Sequence, residues 1–278
     1  MAITLPQLSG GTFLCDGGLE TSLMFHEGVE LPHFAAFVLL DDETGREHLK
    51  RYYASHLELC AGLPGAGFVL DTPTWRANPD WAALLGLDAE RLRVSCTQAA
   101  RMICSLRDDW AARIEGPIVV SGVIGPRGDG YVAHAPDRAS DAAQYHGLQA
   151  EALTEGGVDM LTSVTMTSSS EALGDAIERV DASAVPDDFA INCAHPTHFM
   201  AVLDTSAPRV QRIRCIRANA SEKSHAELDE ASELDIGDPS DLAQRYRGFK
   251  GALPRLNVWG GCCGTDLRHL RSIRDALA

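Results

Sequence analysis

The sequence predicts an α/β protein of the (β/α) TIM-type barrel class, and three observations predict it. Short apolar runs alternate along the chain with longer stretches of helical period. The length, 278 residues, suits a barrel of this kind, which typically needs ~250. The chemically suggestive side chains fall just after the runs, on what would be the C-terminal rim of a barrel, where such folds carry their active sites.

The runs are Phe13-Leu14-Cys15, Gly67-Phe68-Val69-Leu70, Pro117-Ile118-Val119-Val120-Ser121, Val158-Asp159-Met160-Leu161, Asp188-Phe189-Ala190-Ile191, Ile213-Arg214-Cys215-Ile216 and Leu256-Asn257-Val258-Trp259. They are too short for helices, and Gly, Pro or Asp bounds most of them, so they read as buried parallel strands. Between them, Leu49, Tyr52, Tyr53, His56, Leu57 and Cys60 share one helix face. Met102, Ile103, Leu106 and Trp110 share another, as do Leu173, Ile177 and Val180, and finally Leu267, Leu270, Ile273 and Leu277. No Ser- or Pro-rich linker or low-complexity tract divides the chain, so residues 1–278 form one domain. A doubly wound sheet would need an early phosphate-binding loop, and Asp16-Gly17-Gly18-Leu19-Glu20 lacks the G-x-G-x-x-G spacing.

The net charge of −15 disfavours nucleic acid and anionic membrane surfaces as partners, because both repel an acidic protein. No segment approaches ~18 uninterrupted apolar residues, and Met1 to Pro6 carries no basic-then-apolar signal. Eight dispersed cysteines, two of them adjacent, do not form a disulfide framework, which predicts a reducing, cytoplasmic setting. Much of the acid lies between Glu222 and Asp241, read here as a solvated loop and helix rather than a closing lid.

The thiols carry the chemistry. Gly260-Gly261-Cys262-Cys263-Gly264-Thr265 follows one strand and Ile191-Asn192-Cys193 ends another. Adjacent cysteines cannot readily bond each other, because a disulfide demands a particular Cα separation and torsion. Three thiolates can instead hold zinc and leave its fourth position open. Such an anionic site acidifies water poorly, which counts against a zinc hydrolase, but it keeps a bound substrate thiolate electron-rich. Cys15, Cys60, Cys96, Cys104 and Cys215 read as core or peripheral thiols, and His195 and His198 as helix-start or outer groups rather than ligands. Asp71-Thr72-Pro73-Thr74-Trp75 puts a carboxylate, hydroxyls and an aromatic ring at one strand end.

Taken together, these segments resemble the homocysteine S-methyltransferase family of zinc-dependent barrel enzymes. The resemblance rests on Asp16-Gly17-Gly18-Leu19-Glu20-Thr21, Thr72-Pro73-Thr74, Gly122-Val123-Ile124-Gly125-Pro126, Asn192-Cys193 and Gly260-Gly261-Cys262-Cys263-Gly264. It implies Cys193, Cys262 and Cys263 as zinc ligands, and Asp16, Gly17 and Thr72 as contacts to the thiol substrate. The implied reaction moves a methyl group from an onium donor to homocysteine or a related small thiol, giving methionine or an analogous thioether. The alternative is a non-catalytic zinc- or thiol-binding remnant of the same family.

Two departures from the family pattern stand out. Val164 occupies the place where many members carry a glutamate for the amino group of homocysteine. Between Met166 and Phe189 there is room for one helix, near Glu171 to Val180, where the family has a helix, a strand and a second helix. Seven strands are therefore expected instead of eight. The strand ending near Met166 is expected to approach the one ending at Cys193, either pairing directly or leaving a gap, with a distorted seven-stranded closure favoured and Thr167 to Ser170 strained or mobile. An eighth strand, if present, would lie near Ala182 to Val185.

Overall fold

The structure, a computed structural model, describes residues 4–128, 130, 139–165, 186–208, 210–224, 227–228 and 233–277. Each predicted run contains a strand: β1 (Phe13–Leu14), β2 (Gly67–Asp71), β3 (Ile118–Ile124), β4 (Met160–Ser163), β5 (Phe189–Asn192), β6 (Ile213–Ala218) and β7 (Val258–Gly261). They form one parallel sheet in the order β4-β3-β2-β1-β7-β6-β5. The first strand lies beside the last, with Phe13 opposite Val258, so the sheet curls as a barrel does instead of winding outward from its centre. The described residues thus form an α/β half-barrel of seven parallel strands with flanking helices.

At the closing step, the described residues show a gap between the two strands and not the favoured direct pairing. Strands β4 and β5 are the two edges of the sheet, and among the described residues no ladder joins them. A side-chain amide bridges the seam instead. The Thr165 backbone N–H donates to Asn192 Oδ1, and Asn192 Nδ2 donates to Thr165 Oγ1, each at 3.4 Å. A ladder requires strands about 4.8 Å apart, whereas an asparagine side chain reaches across a wider opening. The edge strands also tolerate unpaired backbone better than central ones. Leu161 on β4 is 43% exposed, while β2 is buried along its whole length. Unpaired groups that keep water avoid the ~1–3 kcal/mol cost of a buried orphan. The segments expected to be strained (Thr167 to Ser170), helical (Leu173, Ile177 and Val180) or to hold an eighth strand (Ala182 to Val185) lie outside the described residues.

The helices begin where capping side chains permit. Helix α1 (Leu19–Thr21) is a single turn after β1. Asp42 caps α2 (Glu43–Ala61) by accepting from Gly45 N–H at 2.8 Å, and Asn78 precedes Pro79 at the start of α3 (Pro79–Leu84). Asp88 caps α4 (Ala89–Trp110), which packs beside α5 (Ala139–Gly156). Beyond β5 come α6 (Pro196–Phe199), α7 (Pro239–Ala252) and α8 (Leu267–Leu277). The α2 face read from the sequence is buried throughout, as are Ile103, Leu106 and Trp110 of α4 and Leu270, Ile273 and Leu277 of α8. Each exposed cap-to-alanine change in such helices typically costs ~1 kcal/mol.

Inside the curl, Phe13, Cys15, Val69, Val119 and Val258 form a small apolar layer, separate from the larger core between sheet and helices. Side chains alternate along a strand, so the residues two further on also point inward. On β2 that is Asp71 after Val69, and on β6 it is Arg217 after Cys215. The apolar layer therefore sets a charged layer directly above itself, at the C-terminal end.

Buried in α2, His56 makes the fold sensitive to acid. Its Nδ1 lies 2.9 Å from the Tyr52 carbonyl, and its Nε2 is buried with no partner. Burial pushes the imidazole down to about 4. The unfolded chain, with a histidine near ~6.5, thus binds more protons between those values, so this group's contribution to stability is full above ~6.5 and is lost as pH falls toward 4. Replacing His56 by Leu should remove about 2–3 kcal/mol of acid sensitivity across that window. Urea unfolding of both proteins at pH 7 and pH 4.5 checks it, since equal pH dependence in the two would refute the assignment.

Candidate metal and substrate site

Both cysteine motifs are anchored on β6. Cys193, just past β5, donates its backbone N–H to the Arg217 carbonyl at 3.1 Å. Cys262 donates to the Ala218 carbonyl at 2.9 Å, and Ala220 donates to the Cys263 carbonyl at 3.0 Å. Tyr246, buried on α7, ties the same strand ends together. It accepts from Ala218 N–H at 2.9 Å and donates to the Gly260 carbonyl at 2.6 Å. Cys193 adopts a left-handed φ of 56°, a conformation that costs a non-glycine residue of order 1–3 kcal/mol and is tolerated where a side chain must be aimed. The glycines around the pair are required by space. A Cβ on Gly260 would stand 2.1 Å from Cys15 Sγ, and one on Gly261 would stand 2.0 Å from Thr265 Oγ1.

The result is a cluster of three half-buried sulfurs, Cys193, Cys262 and Cys263, all within 4.8 Å of one another. Cys262 Sγ and Cys263 Sγ are 4.0 Å apart, far beyond a disulfide bond, and all eight cysteines are free thiols. Thiolates placed ~2.3 Å from a tetrahedral ion would lie about 3.8 Å from each other, so the cluster fits such an ion with little adjustment. Without a cation the thiols hold one another protonated. The neighbouring Cys193 and burial push Cys262 up to about 12, and Cys193, Cys262 and burial push Cys263 well above its usual value. Only a bound cation compensates three thiolates this close.

The sulfurs face a cavity of about 650 Å³, which Asp16, Gly17, Thr72 and Val164 also line. That volume is in the usual range for small-molecule sites. Asp16 and Thr72 thus share one rim with the cysteines, but their polar atoms are already engaged. Thr72 Oγ1 accepts from Val123 N–H at 2.9 Å and lies 2.7 Å from Thr74 Oγ1. Asp16 accepts from Tyr52 OH at 3.2 Å through one oxygen, and its other oxygen is paired with Arg217. Gly17 packs against the Thr265 carbonyl, which a Cβ would approach to 2.9 Å.

Arg217 is the residue that sequence reasoning missed. Its guanidinium sits between Asp16 and Asp71, bonded to both, and its Nε donates to the Gly261 carbonyl at 3.3 Å. Its side chain is 16% exposed, against 4% for Asp16 and 8% for Asp71, so these are buried ion pairs whose partners must be present together. Burial opposes the arginine's charge, yet Asp71 and Asp16 hold its proton well above the ordinary value. Burial also pushes the Asp16 carboxyl up to about 7, with Arg217 working in the other direction. A usable signal did exist. A charged residue two positions past a buried one, on a strand read as central, must point inward and needs a partner.

Other groups at the site are positioned with equal definition. Arg76 lies 4.0 Å from the ring centroids of both Trp75 and Trp81. Phe25 and Phe34 line the rim at 51% and 45% exposure. Of the acidic stretch, Leu228, Glu233, Leu234 and Asp235 line the cavity, while Asp238 caps α7. His195 caps α6, its Nδ1 accepting from Thr197 N–H at 3.4 Å, and Nε2 of His198 lies 2.8 Å from the Glu222 carbonyl. His195 also stands near Glu222 and Asp241, but Arg245 bonds to both carboxylates and supplies their positive partner.

A curled parallel sheet carrying thiols and a cavity at the C-terminal ends of its strands defines a barrel-type enzyme site. The profile of the family described as homocysteine S-methyltransferase matches residues 13–174 and 166–277, and the chain belongs to that family. It is accordingly an S-methyltransferase by family, and the two matched segments overlap at residues 166–174. Among solved structures, the metallated form of the homocysteine methyltransferase MmuM from Escherichia coli superposes with a TM-score of 0.73 at 17% identity, covering 95% of this chain and 96% of that one. The oxidized form of MmuM gives 0.64 at 19% identity, with 95% of each chain covered. Its apo form gives 0.64 at 16% identity, with 96% of each covered. These similarities establish the shared fold. No curated protein sequence matches the chain significantly. Among the described residues, no helix is long and apolar enough to cross a membrane.

Proposed function

We propose that the protein is a zinc-dependent methyltransferase that moves a methyl group from an onium donor to homocysteine or a related small thiol, in the cytoplasm. The observation that carries this reading is the convergence of Cys193, Cys262 and Cys263 within 4.8 Å, facing a cavity large enough for a small thiol and its donor. Zinc held by these three residues would keep the acceptor sulfur as an electron-rich thiolate at neutral pH. The thiolate sulfur then attacks the methyl carbon in line. A new S–C bond forms as the bond from that carbon to the onium atom breaks, and the electron pair leaves on a neutral sulfide or amine. A donor that departs neutral suits a cavity whose Arg217 is already paired, with Asp16 and Asp71, and is not open to a leaving anion. Arg76 engages Trp75 and Trp81, which leaves Phe25 and Phe34 as exposed aromatic surfaces at the cavity for an onium group.

The test is methyl transfer from a panel of sulfonium and betaine donors to homocysteine and to other short thiols, with zinc present. Thioether formation that disappears on chelation is expected. Protein that folds and binds zinc but methylates no thiol from any donor would favour a binding protein that has lost turnover.

A further inference from the structure

We propose that Glu20 is the anchor for the ammonium group of the acceptor, taking the role left vacant at Val164. The proposal rests on the thiol-methylation reading for the identity of the site, and its test is independent of turnover.

Glu20 lies in α1, the single helical turn that follows Asp16-Gly17-Gly18, and it lines the same cavity as Cys262 and Cys263. The residues flanking it clamp this turn onto the thiol pair. Gly18 packs so closely that a Cβ would stand 2.7 Å from the Cys262 carbonyl oxygen, and its N–H donates to the Thr265 carbonyl at 3.0 Å. Thr21 Oγ1 accepts from Gly264 N–H at 3.2 Å. The turn that carries Glu20 is therefore held against the segment that carries the thiol pair. Burial, with smaller contributions from the neighbouring Cys262 and Asp16, pushes its carboxyl up to about 7, while its own backbone N–H and Arg217 work in the other direction.

Elimination among the cavity's carboxylates points the same way. Asp16 and Asp71 are committed to Arg217, and the second oxygen of Asp16 takes the Tyr52 hydroxyl. Asp235 is bonded to Ser221 and ion-paired with Lys223. Glu233 is exposed. Val164 offers a methyl surface where an ammonium would need an anion. Glu20 accepts a hydrogen bond from its own backbone, and among the described residues no other side chain bonds to it. An amino-acid thiol seated with its sulfur at the cysteine cluster needs a carboxylate a short chain away, and Glu20 supplies it. The acceptor class is thus a short thiol bearing an α-ammonium group.

The experiment measures equilibrium binding of homocysteine and of 4-mercaptobutyrate, the same thiol without its amino group, to zinc-loaded protein by calorimetry. Wild-type protein should bind homocysteine about 10–100-fold more tightly, the range expected for a charge-assisted hydrogen bond. Glu20→Gln should erase that preference while leaving 4-mercaptobutyrate affinity within about twofold of wild type. Equal affinity of wild-type protein for the two thiols would overturn the assignment, as would a preference that survives in Glu20→Gln. An equal loss for both thiols in the variant would show a structural role and would also overturn it. If the binding preference behaves as expected but no donor yields thioether, the methylation reading fails while Glu20 stands as the ammonium anchor.

Discussion

Purified protein is expected to contain about one zinc ion per chain, and serine at Cys193, Cys262 or Cys263 is expected to remove it. A neutral hydroxyl is a far weaker ligand than a thiolate. Losing one of three protein ligands should therefore cost more than the ~10–100-fold that loss of an outer partner costs. The two turns brought together on β6 place each sulfur within 4.8 Å of the others, so no single thiol is peripheral to the cluster. Methyl transfer should fall below detection in all three variants. Elemental analysis after dialysis against a chelator measures the effect directly. Full zinc retention in both Cys262→Ser and Cys263→Ser would mean the metal, if any, is held elsewhere. Cys60→Ser is a suitable contrast, because that thiol is buried against the Gly67 carbonyl, away from the cavity, and its loss should leave zinc content unchanged.

Replacing Arg217 by Met should destabilise the fold by about 3–5 kcal/mol, because it strands two buried carboxylates that now repel each other. Against a net stability of ~5–15 kcal/mol for a domain, that is a large fraction of the total. The added change of Asp16 and Asp71 to Asn should restore more than half of the loss, since the uncompensated charge is then gone. Urea denaturation of the three proteins separates these effects. A loss of under ~1 kcal/mol in Arg217→Met would show that the triad contributes no more than a surface pair. Arg113, whose pair with Glu58 is about half exposed on each side, supplies that comparison, and its replacement by Ala should cost less than ~1 kcal/mol.

The strands were legible because burial of a short parallel strand requires an unbroken apolar run, and that requirement is local. The same holds for α2, where the spacing of Leu49, Tyr53, His56 and Cys60 alone forces one buried face. The three clustered thiols were legible as candidate ligands because two adjacent cysteines in glycine fit neither a disulfide nor ordinary packing. The need of Arg217 for a buried partner was legible, but the identity of that partner was not. Its partners stand 146 and 201 positions away, and nothing near it in sequence announces either carboxylate. Thr72 shows the same limit from the other side. Its family-like motif predicted a place on the cavity wall, where it stands, but not that its hydroxyl also bonds to Val123 and Thr74. The form of the closure stayed open for a related reason. The length between Met166 and Phe189 reveals a shortage of chain, but it does not say whether the strand edges meet through backbone or, as Asn192 and Thr165 do, through a side chain.

By itself the sequence determined the elements, their parallel order, the family and the identity of the thiol cluster, because period, length and residue type act over a few positions of chain. Only the tertiary structure decided which carboxylates are spent on Arg217 and which others, Glu20 among them, line the cavity. Those outcomes depend on strand register and on how far the sheet curls. Both are set by packing between segments far apart in the chain, so no local pattern encodes them.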